Sequence, residues 1–415
     1  MSALSAYGRR TFAALSIRNY RLFFIGQGIS QCGSWMQSIA QGLLVLELTG
    51  SGTALGLVIA LQNVPVLLLG PWGGLLADRY PKRRILYVTQ SVSGLLALAL
   101  GLLVIGDVVR LWMVYAMGLV SGLVTVVDNP ARQTFVREMV GPEHLTNAVS
   151  LGSTEFNLAR VIGPSIAGAF AATVGLGACF VADAVSYLPV LLVLAMMRAS
   201  ELKPSIRVTT AKGQVREGLR YVRTSPVLLN TLVMMAIIGM FTYEFSVMLP
   251  LFSEFTLDAG EGGYAAMTAA MGAGAVVGGL ATAGRRKPTP RMLVGAGLLF
   301  GGSVALVALA PNLLLAVMAL LVVGFFSISF TSMANVTMQL NSRPEMQGRV
   351  MALWSMAFLG TTPIGGPLMG FIGQHAGPRV ALGIAGGAAI AAAGLLAHAT
   401  GQLRRRPVPA VPPGA

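Results

Sequence analysis

The chain has 415 residues, of which 55% are hydrophobic and 11% charged, with 51 glycines and a formal net charge of +14. A soluble domain of this size needs about 25% charged residues to keep its surface in water, so a water-soluble globular protein is excluded. The positive charge lies in short runs between apolar stretches rather than on one basic face, so a nucleic-acid partner is excluded too.

The apolar stretches are each long enough to cross a hydrocarbon core of ~30 Å at ~1.5 Å of helix per residue. In chain order they predict twelve transmembrane helices, over 19–47, 53–77, 84–106, 111–131, 144–174, 177–198, 226–250, 263–283, 291–309, 312–338, 347–374 and 378–402. Arg18 and Arg21 lead straight into a first span too long for the apolar core of a signal peptide, so no cleaved leader is expected. When the loops are numbered, every one of the 29 basic residues except Arg110, Arg160 and Arg379 falls on one side. The positive-inside rule predicts that this side, with both termini, faces the cytoplasm, as in a multi-pass protein of the inner (cytoplasmic) cell membrane.

A repeat recurs at about half the chain length. Pro142-Glu143 before the fifth span returns as Pro344-Glu345 before the eleventh; Gly163-Pro164 with Gly168 returns as Gly366-Pro367 with Gly370. Small residues at such positions let helices approach closely. The expected fold is therefore an all-α membrane protein of two pseudo-symmetric six-helix bundles, residues 1–198 and 226–403. Between them, 199–225 forms a basic linker in which Val215, Leu219 and Val222 follow helical spacing, predicting an amphipathic helix on the inner membrane face. The Pro-rich tail, 404–415, is expected to be unstructured.

Polar groups inside spans are costly and raise functional readings by default. Gln27, Gln31, Ser34, Ser38 and Gln41 share one face of the first span, and lipid cannot satisfy three amides. They either bond to neighbouring helices or line a pathway; Ser332, Asn335, Tyr243 and Trp354 are further pathway candidates. Asp128, Arg132, Glu155 and Arg160 lie at depths where they can meet, as a structural ion-pair network or as a switch. Glu244 sits in the polar island Thr242-Tyr243-Glu244-Phe245-Ser246 without an obvious basic partner, and Asp183 on the sixth span is the competing carboxyl. Buried carboxyls of this kind are candidates for carrying a proton.

None of the lysines follows a glycine, so there is no nucleotide-binding Gly-Lys pair. His144, His375 and His398 form no metal-binding pattern, and Cys32 and Cys179 are expected as packing residues. No metal, cofactor or enzymatic activity is expected.

Gly74-Leu75-Leu76-Ala77-Asp78-Arg79-Tyr80-Pro81-Lys82-Arg83 resembles the signature between the second and third spans of the major facilitator superfamily, G-x-x-x-D-R-x-G-R-R, with Pro81 at its second glycine. The resemblance implies a gate. Gly74 would permit close helix approach, and Asp78 would accept from amide N–H groups at the start of the eleventh helix, where the dipole favours an anion. Arg79, Lys82 and Arg83 would pair with acids at other helix ends. Asn129-Pro130-Ala131-Arg132 and Asn157-Leu158-Ala159-Arg160 through Pro164 are similar to the branch that holds enterobactin-exporter-like and multidrug efflux proteins. Ser150, Ala159 and Ala167 depart from the glycines of that superfamily's antiporter signature.

The resemblance implies proton-driven export of amphipathic small molecules, such as siderophores, drugs or secondary metabolites, by a monomer that alternates access across the bilayer. Uptake of a small solute or lipid flipping would use the same fold, and a non-transporting receptor or scaffold is the reading from another class.

Overall fold

A computed structural model describes residues 12–203, 214–283, 289–343 and 346–405. Among the described residues there is no strand, and fourteen α-helices follow one another. They are α1 (Arg18–Thr49), α2 (Gly52–Arg79), α3 (Lys82–Ile105), α4 (Leu111–Val174), α5 (Leu176–Met196), α6 (Gln214–Thr224) and α7 (Pro226–Phe241). Then come α8 (Phe245–Phe255), α9 (Gly260–Ala283), α10 (Pro290–Leu309), α11 (Leu313–Leu340), α12 (Gln347–Leu359), α13 (Thr362–His375) and α14 (Pro378–Arg405).

The helix ends follow from local chemistry. Gly50 takes a left-handed conformation (φ 60°) that closes α1, and the Ser51 hydroxyl then accepts from Ala54 N–H at 3.2 Å to open α2. Asn312 starts α11 in the same way, accepting from Leu315 N–H at 3.0 Å. Nine helical segments among the described residues are long and apolar enough to cross a membrane. The helices of the expected spans 19–47 and 144–174, which carry the Gln/Ser stripe and Glu155 with Arg160, are not among those nine, nor are those of the span 347–374. Large side chains such as Leu68, Leu95, Leu102, Leu280 and Leu309 point outward, as a lipid-facing surface requires.

Three expected spans differ in the structure. The predicted loop after the fourth span is helical: α4 continues through Arg132 and Arg137, and its only break is Gly141 at φ 72°. Only glycine takes that angle without strain, and Pro142 restarts the helix just after it. The seventh span is broken, because the polar island ends α7 at Phe241 and Glu244 becomes the N-cap of α8. The eleventh is broken as well, between Leu359 and Thr362.

The linker helix α6 packs one side on protein: Val222 is 0% exposed, Glu217 pairs with Arg349 at 2.6 Å, and the Tyr221 hydroxyl accepts from Arg343 N–H at 3.0 Å. Much of the remaining linker, 204–213, lies outside the described residues, as does the tail from 406; Arg404 and Arg405 belong to α14.

The two faces of the bundle are distinct. The start of α1, the end of α5 and the α2–α3 turn meet on one face, which carries the linker; Asn19 donates to Arg198 O at 3.0 Å and Lys203 N–H to Glu138 O at 2.8 Å. On this linker face one apolar cluster draws its residues from the helices before the linker alone, including Tyr20, Phe23, Leu86, Phe135 and Leu194. On the far face the apolar core is continuous between early and late helices, joining Leu44, Leu55 and Phe180 to Val247, Leu251 and Met369.

Candidate functional site

A cavity of about 560 Å³ opens on the linker face. Helix α1 supplies Tyr20, Phe23, Phe24, Gln27 and Gln31, and α4 supplies Arg132 and Arg137 before its break and Gly152, Glu155 and Phe156 after it. An aromatic wall with a few amides and charges suits an amphipathic ligand.

The far face is closed by backbone-to-backbone contact. Gly56 and Gly370 meet the backbone of the opposite helix at Gly366 and Gly52 with no room for a methyl group. The Gln374 side chain accepts from the Ser51 and Thr53 hydroxyls at 2.8 and 2.9 Å. The second contact joins α4 to α9: a Cβ on Gly168 would lie 2.8 Å from the Ala265 side chain, and one on Gly272 would lie 3.0 Å from Arg160 O. The repeated motif thus serves both contacts, Gly168 at one and Gly366, Pro367 and Gly370 at the other. Gly163 instead packs on α1, where a Cβ would be 2.5 Å from the Trp35 side chain; Pro164 lies in the helix beside it.

The four intramembrane charges do not form one network. Asp128 is 4% exposed and fully satisfied: Thr89 donates at 2.6 Å, Gln90 at 2.9 Å, and Arg132 pairs with its other oxygen, one contact from Nε at 3.1 Å. Glu155 faces the cavity with Gly28 behind it, where a Cβ would stand 3.5 Å from its Oε1. Arg160 is separate, its guanidinium 5.6 Å from the centre of the Trp35 ring. Helical phase explains the split, because residues five apart on a helix point in different directions.

Both remaining carboxyls are buried. Asp183 (0% exposed) accepts from Ser186 at 3.3 Å through Oδ1, packs against Gly33, and has no partner for Oδ2 among the described residues. Glu244 (2% exposed) stands where the breaks of the seventh and eleventh spans meet. It interacts with Thr362, and its Oε1 has no hydrogen-bond partner among the described residues. Beside it Tyr243 accepts from the Ser327 hydroxyl at 2.9 Å and contacts Thr331.

The polar stripe of α1 divides along its length. Gln27 and Gln31 line the cavity, Ser34 lies 3.3 Å from the Tyr187 hydroxyl, and Gln41 accepts from Gln62 at 3.0 Å beside a second cavity of about 40 Å³. Ser38 and Ser332 are exposed, Asn335 accepts from its neighbour Gln339 at 2.5 Å, and Trp354 is buried in the apolar core. None of these four lines either cavity.

At the basic turn, Lys82 pairs with Glu138 at 3.1 Å, as an acid at another helix end. Arg83 instead donates to Leu194 O at 2.6 Å and Ala195 O at 3.0 Å, capping the negative end of the α5 dipole. Arg79 is exposed. The close approach expected at Gly74 occurs one residue earlier: Gly73 meets Val126 O, while no described atom lies within 4 Å of a Cβ at Gly74. The Asp78 side chain and the residues 344–345 that it was expected to face lie outside what is described.

Thr89, Gln90, Tyr187 and Trp35 are site residues that the sequence reading missed. Only the adjacent pair Thr89-Gln90 in an otherwise apolar span carried a signal.

The family described as "Transmembrane secretion effector", within the major facilitator superfamily, matches residues 9–407. The chain belongs to this family. The chain is similar to the enterobactin exporter EntS of Citrobacter koseri, with 26% identity over 95% of each chain. It is also similar to the multidrug efflux pump Tap of Mycolicibacterium fortuitum, with 25% identity over 83% of this chain and 87% of that protein. The staphyloferrin A transporter of Staphylococcus aureus is 31% identical over 40% of this chain, and the aligned part spans 42% of that relative's length. The fold is that of a bacterial homologue of the human lysosomal transporter Spinster, solved inward-facing and unoccupied, with a TM-score of 0.74 at 14% identity over 94% of this chain and 98% of that one. The chain is thus a multi-pass membrane transporter rather than an enzyme.

Proposed function

We propose that this transporter exports amphipathic small molecules by alternating access, driven by protons that enter through Glu244. The observation that carries the reading is the asymmetry of closure: the cavity opens on the linker face, while α2–α13 and α4–α9 contacts close the far face. With the linker face in the cytoplasm, as the basic residues favour, an opening on that face would take up cargo from the cell interior. The siderophore and drug exporters among its relatives support the direction and the substrate class.

Glu244 suits coupling because discontinuous membrane helices concentrate ion sites, and two breaks meet at this carboxyl. Two half-bundles, 1–198 and 226–403, rocking about the midplane would exchange the open and closed faces. Everted vesicles carrying the transporter test the reading. An imposed pH gradient, acid inside, should drive accumulation of at least one compound from a panel of siderophores and drugs, and a protonophore should abolish it. Absence of gradient-dependent flux across the panel would overturn the proposal.

A further inference from the structure

We propose that Arg160 and Trp35 form a recognition site for a carboxylate or similar oxyanion on the transported molecule. The inference deepens the export reading by naming the charge of the cargo, and rests on that reading for calling the anion a cargo.

Arg160 lies midway along the second limb of α4, where that limb crosses both α1 and α9. Among the described residues it has no ion pair, and its Nε is buried without a hydrogen-bond partner. The indole Nε1 of Trp35, whose ring the guanidinium overlies at 5.6 Å, is a second buried donor without a partner. The charged and titratable groups nearby offer no counter-charge: Glu155 turns toward Gly28, and Tyr243, which acts on Arg160 electrostatically, is a phenol. A cation at mid-membrane is costly, and such residues mark ligand or ion paths. Two buried N–H donors, one of them charged, suit an acceptor-only planar group with two oxygens.

The site adjoins the cavity through Phe156, which lines the cavity and packs edge-on against Trp35 at a centroid distance of 5.7 Å; Arg160 is one helical turn deeper on the same helix face. The aromatic wall would hold the apolar body while the anionic end reaches Arg160.

Calorimetry on the purified full chain tests the site with 2-naphthoate and its neutral amide, 2-naphthamide. Wild type should bind the carboxylate at least tenfold more tightly than the amide. Arg160→Gln should lose that preference, Arg160→Lys should keep part of it, and Trp35→Phe, which keeps a ring but removes the N–H, should weaken it several-fold. A thermal melt of each variant separates this from misfolding. Equal affinity for the two probes, binding of neither, or preference retained in a folded Arg160→Gln would overturn the proposal. Vesicle flux separates the two readings. Anion preference without gradient-driven flux removes export but keeps the site; flux of the siderophore and drug panel that is indifferent to Arg160 keeps export and removes the site.

Discussion

Glu244 and Gly365 stand so close that a methyl group on the glycine would come within 2.8 Å of the carboxyl Oε1. The contact exists because the seventh and eleventh spans both break at this level, so that α8 and α13 each begin beside the other. Helix termini expose backbone groups that a continuous helix would consume. A carboxyl there changes its surroundings whenever the two helices move, as a proton carrier must.

Glu244→Gln should retain substrate binding and lose dependence on the proton gradient, because the carboxamide keeps the shape and removes the titration. Asp183→Asn, at a carboxyl equally buried but set between α1 and α5, should leave coupling intact. The check is substrate accumulation in everted vesicles as a function of imposed pH gradient. Gradient-proportional uptake by Glu244→Gln would transfer the role to Asp183.

Gly370→Ala should open the far face. Its Cβ would strike Gly52 O, a backbone atom that cannot rotate away, so the closed contact between α2 and α13 is penalised relative to the open one. A cysteine at Ser51 should then react several-fold faster with a membrane-impermeant maleimide in intact cells. An unchanged rate would show that this contact does not limit closure.

Asp128→Asn should lower stability by about 3–5 kcal/mol, the usual effect of removing one partner from a buried pair. Arg132 would be left without its counter-charge, because the carboxamide oxygen can still accept from Thr89 and Gln90 but its NH2 then faces the guanidinium. The double change Asp128→Asn with Arg132→Gln should recover part of the loss in a detergent melting curve. Equal melting temperatures for wild type and Asp128→Asn would rule out a structural pair.

Docking of α6 should depend on its apolar side and little on its ion pair. Glu217→Gln removes a pair whose glutamate side chain is 56% exposed, worth at most about 1 kcal/mol. Val222→Asp buries a charge at a fully buried position. Tryptic cleavage at Arg220 and Arg223 should therefore speed up strongly for Val222→Asp and barely for Glu217→Gln.

Topology can be read at the same helix. A cysteine at Thr224 should be shielded from an impermeant thiol reagent in intact cells and react in everted vesicles. The reverse pattern would invert the sidedness assumed for export.

Much of the site was legible one residue at a time. Glu244, Asp183, Asp128 and Arg160 stood out because a charge in an apolar span is rare and its cost does not depend on the fold. Their partners were not legible. Thr89 and Gln90 are ordinary polar residues until α4 brings Asp128 against them, and Trp35 passes for packing until Arg160 lies over its ring. The expected four-charge cluster failed for the same reason: depth along a helix was available from counting, but direction around it was not.

The sequence by itself determined that the chain spans a membrane, which loops carry the positive charge, and where glycine and proline recur in its two halves. These follow from transfer free energies and local backbone chemistry, which each segment settles alone. Only the tertiary structure decided that the seventh and eleventh spans break opposite each other, that Arg83 caps α5 rather than meeting an acid, and that α6 docks on protein. It alone decided which face is open. An apolar span can pack equally well against lipid or a neighbouring helix, and the choice is made by close contacts such as Gly370 on Gly52, between residues that lie far apart in the chain.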